Sequence, residues 1–229
     1  MKKIFKDWTR FEQILLLGSL ITIITAGIFC KSNILTIVCS VTGIFVALTQ
    51  AKGKVISQFI GLILVVLYSI LSYQNKYYGE VLIYIFIMFP LFISGIISWI
   101  KNIDKETNTV IENKLNKKEW IILILISVIL FIGLYNLLKY FNTSQLFVST
   151  LSMVMSLFAT YLVVRRSKYG FLFYICNDII LFILWGIPVI SGNVLLMPML
   201  FNPIINFVND CYAWKSWNER ESDFDERNI

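Results

Sequence analysis

Residues 119–137, EWIILILISVILFIGLYNL, make one apolar run about as long as a helix needs to cross a bilayer. Three runs of the same kind precede it as a group, at roughly 33–50, 55–74 and 81–100. Three more follow, at 147–164, 171–190 and 194–213, and a further run at 12–30 opens the chain. The single span between two triplets decides the fold. Three plus one is even, so both triplets enter the membrane in the same direction. They can then pair about a pseudo-two-fold axis along the membrane normal.

Basic residues draw the membrane from the other direction. Of the 20 Lys and Arg, only Lys31, Lys76 and Lys139 fall in loops on one side. The other side carries Lys2, Lys3, Lys6 and Arg10; Lys52 and Lys54; Lys101, Lys105, Lys114, Lys117 and Lys118; Arg165, Arg166 and Lys168; and Lys215, Arg220 and Arg227. Positive charge collects in cytoplasmic loops, so both termini are expected in the cytoplasm and the span count is expected to be even. Trp8, Trp99, Trp120 and Trp214 fall at cytoplasmic span ends, where an indole favours the headgroup layer.

With 58% hydrophobic residues over 229 positions and a mean hydropathy of +0.76, the chain reads as one polytopic membrane domain, 1–229. Its expected parts are an extra N-terminal helix (12–30), a first three-helix repeat (33–100), a linker helix (119–137), a second three-helix repeat (147–213) and a cytoplasmic tail (215–229). The net charge of +6 is positive-inside bias and gives no reason to expect a nucleic-acid partner. The first apolar run has no cleavage motif after it and reads as a retained anchor. A bacterial plasma membrane is the simplest location. Histidine is absent, which removes Ser–His hydrolases and His-ligated metal enzymes. Cys30, Cys39, Cys176 and Cys211 are scattered and form no Cys-x-x-Cys pair, so no cofactor or metal is expected.

The two triplets match each other at an offset near 114. Thr42 meets Ser156, and the Ala51–Lys54 turn meets the Arg165–Lys168 turn. Tyr78-Gly79-Glu80-Val81 meets Ser191-Gly192-Asn193-Val194, Met88-Phe89-Pro90 meets Phe201-Asn202-Pro203, and Trp99 meets Trp214. The run at 12–30 lies outside this repeat and reads as a peripheral anchor. Pro90 and Pro203 occupy matching places and are candidate hinges, or static kinks.

Polar residues inside the spans are candidate substrate contacts, because an ionisable side chain in lipid faces a cavity or a partner. Asp178 lies ten residues beyond Lys168, about 15 Å along a helix. Trp185, seven residues further on, shares its face. Asn202, Asn206 and Asn209 form one stripe, with Asn206 placed at about the depth of Asp178 by its distance from Lys215. Asn177, Gln58, Thr42 and Tyr68 complete the set. Carboxylate, amide and ring together suit a small hydroxylated, ring-bearing ligand. The same amides could instead hold helices together, Thr42 could bond its own backbone, and Gln58 lies close to the membrane face.

Several stretches carry a resemblance. They are Trp8…Glu12, Thr42-Gly43…Ala51-Lys52-Gly53-Lys54, Gly61…Tyr68, Tyr78-Gly79-Glu80, Gly95…Trp99-Ile100-Lys101-Asn102, Asn177-Asp178, Asn206…Asn209 and Tyr212…Trp214. Together they resemble the PnuC family of vitamin and nucleoside transporters, whose fold is related to that of the SWEET sugar transporters. The resemblance implies an all-α membrane protein of eight transmembrane helices in a SWEET-like 3+1+3 plan with one extra N-terminal helix. It implies a transporter and not an enzyme, moving nicotinamide riboside, thiamine, riboflavin or a deoxynucleoside by facilitated diffusion. It further implies a homotrimer and a cytosolic kinase that traps the substrate. The family's Trp-Asn-x-x-Trp motif falls on Cys176-Asn177-Asp178-Ile179-Ile180, where Asn177 fits and both Trp positions differ. The particular vitamin or nucleoside therefore stays open.

Other classes are weighed on the same residues. A channel wants a repeated filter or charged rings, and none is seen. A scaffold needs no polar stripe at mid-depth. An intramembrane aspartyl protease needs two adjacent carboxyls. Asp178 and Asp210 are available, but counting from Lys168 and Lys215 puts them at different depths. The same count leaves Asp178 without a second buried acid or base, which favours passive uniport by alternating access.

Overall fold

The computed structural model of the protein describes residues 8–29, 31–74, 78–143, 145–192 and 197–227. Cys30, Lys76 and the matched Asn193-Val194 turn lie outside the described residues, as do the start of the eighth expected span and the side chain of Pro198.

Helices follow the apolar runs: α1 (Arg10–Phe29), α2 (Ile34–Ala51), α3 (Ile56–Gln74), α4 (Tyr78–Ile83), α5 (Phe89–Ile100), α6 (Lys117–Tyr140), α7 (Leu146–Val164), α8 (Tyr169–Ile190) and α9 (Met197–Arg227). A π-helical turn, Tyr84–Met88, joins α4 to α5 into one rod. Pro90 follows in the first turn of α5, where a residue without an N–H is tolerated. Among the described residues, seven helices are long and apolar enough to span a membrane.

Local chemistry sets the helix starts. Thr9 and Glu12 cap α1 reciprocally: Glu12 N–H donates to Thr9 Oγ1 (3.2 Å) and Thr9 N–H to Glu12 Oε2 (2.7 Å). Asn116 and Glu119 form the same box at α6, at 2.8 and 3.0 Å. The apolar residues Ile121, Ile122, Leu125, Ile129 and Ile132 of α6 stand exposed, as a lipid-facing surface requires.

Packing brings α8 against α7 and α9, α2 against α1, α3 and α9, and α5 against α3 and α7. Gly170 permits the α7–α8 approach, since a Cβ there would stand 2.9 Å from the Val163 nitrogen and the Ala159 carbonyl oxygen.

The end of the molecule bearing the basic turns is tightly crossed. Trp99 of α5 donates its indole N–H to the Val163 carbonyl at the end of α7 (3.1 Å). Trp217 of α9 donates to the Gln50 carbonyl at the end of α2 (3.1 Å). The two rings lie 5.9 Å apart. Each triplet thus reaches into the helix end of the other. The turns that receive them share a left-handed residue, Gly53 (φ 64°) and Arg166 (φ 63°). Sequence reading placed Trp99 in the headgroup layer, yet it is fully buried, because its N–H finds a carbonyl and its ring packs on Trp217 and Val163. The counterpart of Trp99 in this clasp is Trp217, not Trp214.

The polar stretch 101–118 holds a small antiparallel hairpin, β1 (Ile103–Asp104) and β2 (Thr109–Val110). Its outgoing segment bridges both turns: Val110 N–H donates to the Gly53 carbonyl (2.9 Å) and Asn113 N–H to the Arg166 carbonyl (2.9 Å). Arg166 returns a bond to the Ile111 carbonyl (3.0 Å). The expected tail continues α9 as helix to Arg227. There Arg220 donates to the Ala51 carbonyl (2.9 Å), and Glu221 pairs with Lys168 and with Lys114.

Span one is no loose anchor. Glu12, 2% exposed, accepts two bonds from Lys52 Nζ (2.8 and 3.0 Å) and one from the Tyr212 hydroxyl (2.8 Å). These tie α1 to the end of α2 and to the middle of α9. A carboxylate buried this deeply needs such partners, and their presence makes α1 part of the bundle.

Candidate functional site in the membrane

Asp178 is the tenth residue of α8, about 14 Å from its start at 1.5 Å per residue. It is 4% exposed, and Asp210 of α9 is 7% exposed. Their carboxyl groups lie within electrostatic reach of each other. Asn209, also buried, donates its Nδ2 to Asp210 Oδ1 (3.0 Å). No donor among the described residues reaches Asp178 Oδ2 or Asn209 Oδ1.

This corrects the depth count. Lys168 pairs with Glu221, not with a residue near Lys215, because α9 runs on past Trp214 as helix. Glu221 is eleven residues beyond Asp210, and Lys168 ten before Asp178, so the two carboxyls are level. Asp178 therefore has a second buried acid beside it. The same correction moves Asn206 about one turn further along α9, off the level of Asp178. Asn206 instead lines a narrow cleft with Leu15 and Ser19 of α1, Ile44 and Leu48 of α2, and Asn209.

The remaining expected residues divide. Asn177 is buried and accepts a bond from the Ser152 hydroxyl of α7 (2.8 Å), which fixes its amide beside the Asp178 turn. Tyr68 stacks on Tyr84 of the π-helical turn, centroids 4.6 Å apart. Gln58 is fully buried with neither amide atom bonded. It presses on Gly95, where a Cβ would stand 2.4 Å from its Oε1. Gln58 is only the third residue of α3, so it belongs to a layer nearer the basic face than Asp178. Thr42 donates to its own helix at the Val38 carbonyl (2.7 Å). Trp185 and Asn202 are half-buried.

Two tyrosines outside that expected set connect these groups. Tyr174, one turn before Asp178, shares a bond with Thr160 (hydroxyl oxygens 2.7 Å apart) and lies within electrostatic reach of both carboxyls. Tyr84 of the first triplet lies within reach of Tyr174. A polar track thus runs Tyr68–Tyr84–Tyr174–Asp178/Asp210 from one triplet to the other. The spacing of Tyr174 from Asp178, four residues, was the available signal.

At the basic face a cavity of about 870 Å³ lies between the hairpin and α9, lined by Asp104, Glu112, Lys114, Trp217 and Arg220 among others. Burial pushes the Glu112 carboxyl up to about 7, against the pull of the Lys168 N–H bond and the nearby lysines. Among the described residues, no group of three or more Cys, Asp or Glu could hold a metal ion.

Seven long apolar helices around buried polar side chains define a multi-pass membrane protein. The sequence profile described as nicotinamide mononucleotide transporter matches residues 33–219, and the chain belongs to that family. It is 25% identical over 222 residues to the nicotinamide riboside transporter PnuC of Neisseria mucosa, covering 95% of this chain and 84% of that one. Over 181 residues it is 23% identical to the nicotinamide riboside transporter PnuC of Haemophilus influenzae, covering 78% and 80%. A crystal structure of the vitamin B3 transporter PnuC superposes with a TM-score of 0.78 at 25% identity, covering 97% of this chain and 96% of that one.

Proposed function

We propose that this chain takes up nicotinamide riboside, or a closely related small vitamin or nucleoside, across a bacterial plasma membrane. Transport runs by facilitated diffusion with alternating access between two parallel three-helix repeats, in a SWEET-like 3+1+3 plan with both termini cytoplasmic. The observation that carries the reading is the polar track between the triplets, in a chain whose relatives bear the name of nicotinamide riboside transporters. The reciprocal Trp99 and Trp217 bonds support the repeat, since each triplet gives what it receives.

Asp178, Asn177, Asn209, Tyr68 and Trp185 form the substrate layer. Gln58 stands on the path toward the basic face, and Asn206, Asn202 and Thr42 contribute around it. The Trp clasp and the hairpin are the contacts that part for release into the cytoplasm. Net uptake then needs a trap, which a cytosolic kinase acting on the substrate provides. A homotrimer is the expected assembly. The replacement of both motif tryptophans by Cys176 and Ile180 favours, as second readings, a thiamine-like substrate or a deoxynucleoside, because the paired indoles that would sandwich a nicotinamide ring are gone.

Uptake of labelled nicotinamide riboside, thiamine and deoxynucleosides into proteoliposomes free of kinase tests this. Saturable uptake of one of them, ending at equal concentrations inside and out for a neutral solute or at the Nernst ratio for a charged one, is expected. Ion conductance without saturation, or cleavage of the substrate, would overturn the carrier reading.

A further inference from the structure

Ser57 and Gln58, the second and third residues of α3, are both fully buried. Among the described residues, nothing bonds the Ser57 hydroxyl or either polar atom of the Gln58 amide. Elsewhere in the bundle such groups are used. Ser69 and Thr150 donate to their own helices, at 2.8 and 2.7 Å, and Asn177 accepts from Ser152. Ser57 lacks that outlet: the carbonyl one turn before it, on Gly53, accepts the Val110 N–H instead. A buried amide without a bond costs more than an apolar side chain of the same shape, so its presence calls for a use.

Position supplies one. A Cβ on Gly95 would stand 2.4 Å from Gln58 Oε1 and 3.2 Å from Val164 Cγ2, so α3, α5 and the end of α7 meet at that glycine. Gly95 is one turn before Trp99, and Val164 follows Val163, whose carbonyl accepts the Trp99 indole N–H. The Gln58 amide therefore lies at the seam between the triplets, one turn inside the clasp and on its Asp178 side. While the clasp holds, Gln58 is sealed. When Trp99 leaves Val163, the amide faces the widening seam. A carboxamide donates and accepts, as does a hydroxyl, and neither is charged. Sugar hydroxyls have the same double character, so the pair matches them and not an ionised group.

We infer that Ser57 and Gln58 form an exit subsite: once the clasp parts, they take a sugar hydroxyl of the substrate as it leaves the Asp178 layer for the cytoplasm. The inference rests on the carrier reading above and adds a second stop on its path. With the clasp closed, substrate in the Asp178 layer does not make this contact. The pair therefore speeds release without adding to the affinity of the closed carrier, because only an interaction gained on the way out lowers that barrier.

Uptake by the full-length protein in proteoliposomes, set beside calorimetric binding to the purified carrier, provides the test. The probes are nicotinamide riboside and deoxythymidine, each with analogues lacking one sugar hydroxyl, and thiamine. Gln58→Met keeps the length and shape of the side chain and removes the amide. For the nucleoside that wild type carries, it is expected to lower uptake about tenfold, the worth of one neutral hydrogen bond, with affinity within about twofold of wild type. For one of the analogues the same variant should cost almost nothing, because the partner hydroxyl is already gone. Ser57→Ala should repeat the pattern at smaller size. The Tm of both variants should equal or exceed that of wild type, since neither loses a bond within the protein. Equal proportional losses for the parent nucleoside and every analogue would overturn the inference and leave a packing or gating role. Affinity falling as far as uptake would also overturn it, by placing Gln58 in the main binding layer. A Tm lowered by several degrees in Gln58→Met would show the amide bonded in the closed protein, against the inference. Uptake of thiamine alone would leave the carrier reading standing and remove the sugar subsite. Failure of the wild type to move any probe would count against the carrier reading itself.

Discussion

The basic face and the Asp178 layer are both polar regions between the same two triplets, and they are bonded in opposite ways. At the basic face the bonds cross: Trp99 to Val163, Trp217 to Gln50, Arg220 to Ala51, and the hairpin to both turns. In the Asp178 layer the bonds stay within the second triplet: Asn177 with Ser152, Tyr174 with Thr160, Asn209 with Asp210. What crosses there is the proximity of Tyr84 to Tyr174. A region that joins two bodies uses up its donors and acceptors on the other body. A region that must receive a third party keeps some free. The difference separates a clasp from a binding layer without reference to any relative.

The largest expected effect comes from breaking the clasp side at Glu12. Glu12→Ala removes the carboxylate that Lys52, 12% exposed, is bonded to, and with it the α1 cap. Removing one member of a buried pair costs about 3–5 kcal/mol. Thermal unfolding in detergent should show a marked fall in Tm, with Glu12→Gln milder because it keeps a hydrogen-bonding side chain.

The two tryptophans sharpen the comparison. Trp99→Phe and Trp217→Phe each delete one cross-triplet bond and leave a carbonyl short, a cost of about 1 kcal/mol each. Similar losses of stability are expected for both. The double variant should depart from additivity, because the rings are in contact. Losses differing severalfold would show that the clasp is not reciprocal in energy.

A smaller effect concerns pH at the hairpin. The Glu112 carboxyl, ordinarily near 4.5, is pushed up to about 7 by burial. Between those values the folded protein holds a proton that the unfolded chain has released. Stability therefore falls as pH rises from about 4.5 to about 7 and levels off above. Hydrogen exchange of the Val110 and Asn113 amides should quicken over that range, and Glu112→Gln should flatten the response. The smallest effect belongs to Thr42→Val, where only a bond to its own helix is lost. Stability within about 0.5 kcal/mol of wild type is expected.

How much of this could be read beforehand follows from what each signal measures. Hydropathy and charge located the spans, because lipid imposes both. Asp178 stood out because an acid inside an apolar run has few explanations. Its partner Asp210 was set aside because Lys215 was taken as the membrane edge. The edge is instead marked by the Lys168–Glu221 pair, a contact between helices that spacing along one helix cannot show. Trp99 looked like a headgroup anchor for a similar reason: its acceptor, the Val163 carbonyl, is 64 residues away. The hairpin in 101–118 was hidden because its bonds run to Gly53 and Arg166 and not only within itself. Gln58 looked exposed by its nearness to Lys54, but it is fully buried, with Gly95 of α5 packed against its amide.

The most direct test is a structure determined with nicotinamide riboside bound at saturating concentration. The account predicts ordered ligand between the two triplets, in the layer of Asp178, Asn177 and Trp185. Ligand seated instead beneath the hairpin, in the cavity beside Trp217 and Arg220, with the Asp178 layer unchanged, would contradict it.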